Sequence, residues 1–194
     1  ESLFPNGQTG RIPLAAITGS GDNEACGRWL VHLLRERGLR IGMASSTGLY
    51  LNERRLKGGD QATLAGSRAL LLSPEVETAV LERSLRSIRR EGLGWDRCDA
   101  AVITGRFADG PYDKDANEDS ETAKSARVMA DAALPRGTVV IDAADPAAAD
   151  LASSYPDAVI LVSALSDHPL SAADPCPQRR SVLLRGSDIV LLER

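Results

Sequence analysis

Residues Ile12 to Trp29 read IPLAAITGSGDNEACGRW. Ile12 to Thr18 is a short, nearly all-apolar run closed by Gly19, the pattern of a strand buried on both faces. A glycine-containing turn follows. Glu24 to Arg37 then predicts a helix, with Leu30, Leu33, Leu34 and Arg37 at helical spacing and Gly38 as its stop. Strand, tight glycine turn and helix in that order is where an open α/β sheet holds a phosphate, because the first helical amides point toward the ligand. The turn is acidic here, with Asp22 and Glu24 flanking Asn23.

The same alternation continues through the chain. Leu39 to Ser46 predicts a second strand, and Leu49 to Leu56, followed by Gly58-Gly59, a small hairpin. Ala62 to Leu72 predicts a helix, Glu77 to Leu81 a strand ending at Glu82, and Arg83 to Glu91 a basic helix stopped by Gly92. Asp99 to Thr104 is the next apolar run, and Gly105 to Glu118, rich in Gly, Asp and Asn, reads as the longest irregular stretch. Ser120 to Leu134 predicts a helix that Pro135-Arg136-Gly137 stops; Thr138 to Asp142 a strand; Pro146 to Ser153 a helix; Ala158 to Ser163 a strand. After a polar link, Pro169 to Arg180, the run SVLLRGSDIVLL at Ser181 to Leu192 predicts a hairpin. The fold class is therefore α/β: a doubly wound, mostly parallel sheet with helices on both faces and small β-hairpin additions. Residues 1–194 read as one domain, with 1–11 as a linker, 12–168 as the α/β core and 169–194 as the link and terminal hairpin. The start at Glu1 without Met, and the stop just after an apolar run, suggest a fragment of a longer protein.

A net charge of −4 with mixed acidic and basic residues provides no field for nucleic acid, so no nucleic-acid partner is expected. No apolar run approaches a membrane span, and no membrane role is expected. Cys26, Cys98 and Cys176 make neither a disulfide framework nor a zinc motif, which suggests free thiols and the cytoplasm. His32 lies on the first predicted helix and His168 in the link, and neither joins a Ser-His-Asp or Cys-His arrangement.

Seven strings together carry a resemblance: RIPLAAITG at Arg11 to Gly19, GLYLN then GGD at Asp60, AVLE at Ala79 to Glu82, REGLGWDRCDAAVIT at Arg90 to Thr104, DAADP at Asp142 to Pro146, and the tail GSDIVLLER. In these the chain resembles the central ATPase domain of the Mur ligase superfamily, a P-loop NTPase-like fold, and within it the cyanophycin synthetases. The resemblance implies a compact P-loop, Gly-Thr-Asn-Gly-Lys-Thr-Thr, with ATP and Mg²⁺ as cofactors. The matching residues are Gly19, Ser20, Gly21, Asp22, Asn23, Glu24 and Ala25. Asn23 stands where the Lys belongs and Glu24 where the metal-binding Thr belongs. Two like charges about 4 Å apart cost about 1 kcal/mol even in water, and several times that near a protein surface. Asp22, Asn23 and Glu24 are at the same time good residues for capping a helix from within.

The resemblance also assigns Glu82 to Mg²⁺; a solvated carboxylate pairing with Arg83 or Arg86 is the structural alternative. It places an Asn at Gly105 and a metal-binding His at Gly110, leaving Asp109. The carbamylated lysine falls near Ala126; Lys124 substitutes for it only if the helix register shifts and is otherwise a solvated helical Lys, and a nucleotide-contacting Asn becomes Asp142. The expectation is a vestigial nucleotide-binding turn in a pseudo-enzyme domain, without cofactor, having a structural or assembly role beside other domains of the same polypeptide, with a homo-oligomer possible. The alternative is an active ATP-dependent amino-acid ligase acting through an acyl phosphate, with Glu82 and Asp109 holding Mg²⁺.

Overall fold

The computed structural model describes residues 10–105, 116–142, 151–155, 159–163 and 180–192. Among them, β1 (Leu14–Gly19), α1 (Asn23–Arg35), β2 (Ile41–Ser45), β3 (Gly48–Leu51), β4 (Arg54–Gly58), α2 (Leu64–Leu71) and β5 (Thr78–Glu82) make the first half. They are followed by α3 (Leu85–Glu91), β6 (Cys98–Thr104), α4 (Ala116–Asp131), β7 (Ala133–Asp142), β8 (Val159–Ser163), β9 (Arg180–Arg185) and β10 (Asp188–Leu192). The strands form a single sheet in the order β10-β9-β8-β7-β6-β1-β5-β2-β3-β4. From β2 to β9 the pairings are parallel, while β3, β4 and β10 are added antiparallel. This is the expected doubly wound sheet with hairpins at its flanks.

Alternation along the central strands feeds two cores, as successive side chains must take opposite faces. Ile17, Met43 and Val80 join Val31 of α1 on one face. Ala16, Ala44 and Leu81 join Leu70 of α2, Ile88 of α3 and Met129 of α4 on the other. On α1 the residues that turn inward are Asn23, Gly27 and Val31. Gly27 lies so close to β2 that a Cβ there would sit 2.8 Å from Met43 Cε. Of the leucines at helical spacing, Leu30 and Leu34 pack partly buried against this core, whereas Leu33 is exposed. The helix ends at Arg35, with Gly38 in the left-handed region at φ +76°.

Two other boundaries move. The α4 helix begins at Ala116, four residues before the expected Ser120, inside the stretch read as irregular. Pro135-Arg136-Gly137 does not separate helix from strand; β7 starts at Ala133 and runs through it. The cause lies in the pairing with β6, where Cys98 faces Ala133 but Ala100 faces Thr138, so the proline sits in a bulge with no ladder bond to donate. The expected helix at Pro146 is described only over 151–153, which is helical. No helix of the described residues is long and apolar enough to cross a membrane.

Candidate functional site

Parallel pairing places the carboxyl ends of β7, β6, β1, β5 and β2 side by side, with neighbouring strands about 4.8 Å apart. Asp142, Thr104, Gly19, Glu82 and Ser45 are the last residues of those strands. Such an edge, where the chain winds in opposite directions on either side of β1, is where open α/β sheets bind ligands. Gly19 to Glu24, Glu82 and Asp142 are therefore brought together at one rim. Lys124 is exposed on α4 while Ala126 is fully buried in the core, so the helix turns position 126, not 124, toward the sheet. Asp109 and Gly110 lie outside the described residues.

The turn after β1 is closed from within. The Asn23 side chain is only 9% exposed; its Nδ2 donates to Gly19 O at 3.0 Å and its Oδ1 accepts from Thr104 Oγ1 at 2.5 Å. The amides of Ser20, Asn23, Ala25 and Cys26 also donate inside the protein, to Thr104 O, Gly21 O, Asp22 Oδ1 and Asp22 O respectively. Asp22 is thus the N-cap of α1, as expected, whereas Asn23 and Glu24 are not caps. The glycines answer to the neighbouring strand: a Cβ on Gly19 would lie 1.9 Å from Thr104 O, and one on Gly21 2.9 Å from Thr104 Oγ1.

Glu24 turns sideways. Its Oε1 accepts from Arg28 Nε at 2.7 Å and from Thr47 Oγ1 at 2.6 Å. Arg28 in turn donates to Tyr50 Oη at 3.0 Å and lies over the Tyr50 ring at 4.9 Å. Burial pushes the Glu24 carboxyl up, but the hydrogen bonds from Thr47 and Arg28 outweigh it and hold the group below its ordinary value. Beside this network a pocket of about 120 Å³ is lined by Arg28, Val31, Met43 and Tyr50 together with His32, Asn52 and Glu53.

Glu82 is buried and pairs with neither Arg83 nor Arg86 in the described bonds; its Oε2 accepts from the Ser46 amide at 3.0 Å. Burial raises its carboxyl above the usual carboxylate range, the Ser46 amide opposes this, and Glu24 and Asp60 push it further up. Arg83 points away from the rim: fully buried, it donates to Gly92 O at 2.7 Å, to Ala62 O and Ser87 O at 3.4 Å, and to Glu91 at 3.3 Å. Among the described residues no three His, Cys, Asp or Glu side chains gather as a metal centre. Sequence reasoning missed Thr104, Ser46, Thr47 and Arg28. Thr104 ends the strand expected at Asp99 to Thr104, so only the adjacency of β6 and β1 was lacking.

The chain is a Mur-ligase-like α/β domain, as its fold and its relatives in sequence show. The superposition on UDP-N-acetylmuramoyl-L-alanyl-D-glutamate–2,6-diaminopimelate ligase covers 94% of this chain and 39% of that one, with a TM-score of 0.64 at 15% identity. Superposition on E. coli FolC, solved with DHPP and ADP, covers 95% of this chain and 47% of that one, with a TM-score of 0.57 at 13% identity. In sequence the chain is a homologue of part of cyanophycin synthetase: it is 34% identical to that of Synechocystis sp. over 170 residues, 88% of this chain and 20% of the relative. It therefore spans about a fifth of the length of the curated relatives it matches. No protein-family model matches the chain.

Proposed function

We propose that this chain is the Mur-ligase-like domain of a cyanophycin-synthetase-like protein, and that it does not bind ATP. It works beside other domains of a larger polypeptide in the cytoplasm, and its role in that polymer-forming amino-acid ligase is structural. The observation that carries this is the Asn23 side chain, clasped between Gly19 O and Thr104 Oγ1 in the turn where a phosphate would lie.

A triphosphate needs free amides, a cation and a hydroxyl for Mg²⁺. The amides of Ser20, Asn23, Ala25 and Cys26 are already bonded to Thr104, Gly21 and Asp22, position 23 carries an amide side chain, and position 24 a carboxylate bound to Arg28 and Thr47. These residues do not fit a triphosphate with its Mg²⁺.

A second reading, an active ATP-dependent ligase with ATP and Mg²⁺, is favoured by one observation: Glu82 ends β5 beside the turn, where the family's Mg²⁺ carboxylate is expected. Asp109 would be its companion ligand. Asp142 ends β7 at the same rim, where a base or ribose would meet a further negative charge. Titration calorimetry with ATP and Mg²⁺ on the folded chain separates the two readings. The expected result is no binding heat; micromolar binding would establish the second reading and end the first.

A further inference from the structure

The pocket of about 120 Å³ lies between α1 and the antiparallel strands β2 and β3, and none of its lining residues belongs to the turn after β1. Val31, Met43 and Tyr50 are buried and give it an apolar base. Arg28 and His32, four residues apart, share one face of α1 and so reach the same opening. Asn52 and Glu53 come from the turn after β3, where Asn52 takes the left-handed backbone at φ +53°.

The full charges around the opening cancel, because Arg28 pairs with Glu24 at 2.7 Å and Glu53 with Arg35 at 2.5 Å. The groups left uncommitted therefore choose the occupant. Arg28 spends Nε on Glu24 and Nη2 on Tyr50 and Thr47, and no bond of its Nη1 is among those described. On Asn52 the oxygen accepts from the Ile41 amide at 2.9 Å, which leaves Nδ2 as a donor. His32 meets the Trp29 ring edge-on and keeps an N–H in either tautomer. Three donors thus converge above an apolar base, while the second Glu53 oxygen belongs to a side chain 65% exposed and is satisfied by water.

We infer that this pocket binds a short aliphatic carboxylate, its oxygens accepting from Arg28, His32 and Asn52 and its alkyl chain lying on Val31 and Met43. Size agrees: an apolar cavity of about 150 Å³ takes benzene, so one of about 120 Å³ takes about five non-hydrogen atoms. The planar guanidinium suits a carboxylate, and inorganic phosphate has no apolar part to cover the base. The site stands apart from the question of ATP at the turn.

The test is a titration of the 194-residue chain with sodium propionate at fixed ionic strength, followed in amide proton–nitrogen correlation spectra. Saturable shifts in the millimolar range are expected at Arg28, His32 and Asn52, with sodium phosphate about tenfold weaker, the worth of two buried carbons. Arg28→Gln is expected to weaken propionate about tenfold, as for a lost hydrogen bond to a charged group. His32→Ala, at an exposed position whose folding does not depend on the Arg28 network, is expected to weaken it about threefold. Arg37→Gln, an exposed cation outside the lining, is expected to bind as the parent does. No saturable shift would overturn the inference. So would phosphate binding as tightly as propionate, which would make this an adventitious anion site only, or Arg28→Gln and His32→Ala binding no more weakly than Arg37→Gln.

Discussion

Asn23 donates to Gly19 O and accepts from Thr104 Oγ1, tying the end of β1 to the end of β6. Asn23→Ala removes both bonds and leaves a part-buried carbonyl and a part-buried hydroxyl with one partner fewer. The expected cost is about 1–2 kcal/mol of stability, the range for hydrogen bonds whose surviving partners are part-buried, seen as a lower urea midpoint at unchanged slope. A variant as stable as the parent would show that the clasp contributes nothing. The polar composition of this turn, and Asp22 as a cap, were legible from the residues alone. The destination of the Asn23 side chain was not, because its acceptor and donor sit on strands that meet only when the sheet forms.

Among the elements, α3 shows what local patterning leaves out. The sequence reads Arg83 to Glu91 as one basic helix; Arg89 and Arg90 are exposed on it, yet Arg83 falls just before α3 and is fully buried. The Arg83 guanidinium joins the carbonyl before α2, at Ala62, to the first turn of α3, at Ser87, and to its C-cap, at Gly92, and its Nε is left without a partner among the described residues. Arg83→Met, similar in length and uncharged, strands those carbonyls. The expected loss is about 3 kcal/mol, since each buried carbonyl left without a partner costs roughly 1–3 kcal/mol, offset in part by sparing the desolvation of a cation. Hydrogen exchange should quicken first in α3. A loss below about 1 kcal/mol would mean that the buried cation costs nearly as much as it contributes. The helix and strand sequence was legible because glycine stops and apolar runs are local. The early start of β7 was not, because a proline normally ends a helix, and only the bulge against β6 makes room for it in a strand.

For the whole molecule, the burial of Glu82 beside Glu24 and Asp60 bears on stability against pH. Its carboxyl is raised in the folded state, so the fold holds this proton more tightly than the unfolded chain does. Its contribution to stability is therefore present at and below the ordinary glutamate range and is lost as pH rises through the folded value. This runs opposite to the usual salt-bridged acid. Glu82→Gln keeps an acceptor for the Ser46 amide and removes the charge. Its melting temperature is expected to equal or exceed the parent's at pH 7–8, with the difference closing toward pH 4.5. A variant that loses more stability at pH 8 than at pH 5 would contradict this.

Local pattern determined the α/β class, the winding of strand, turn and helix, the terminal hairpin and the Mur-ligase-like family, because each rests on short-range periodicity, glycine stops and strings of adjacent residues. Tertiary structure alone decided that Thr104 meets Asn23, that Glu24 turns to Arg28 and Thr47, that Glu82 faces Ser46, and that Arg28, His32 and Asn52 line one pocket. These depend on which strands become neighbours and in what register, and neither is a property of any one segment.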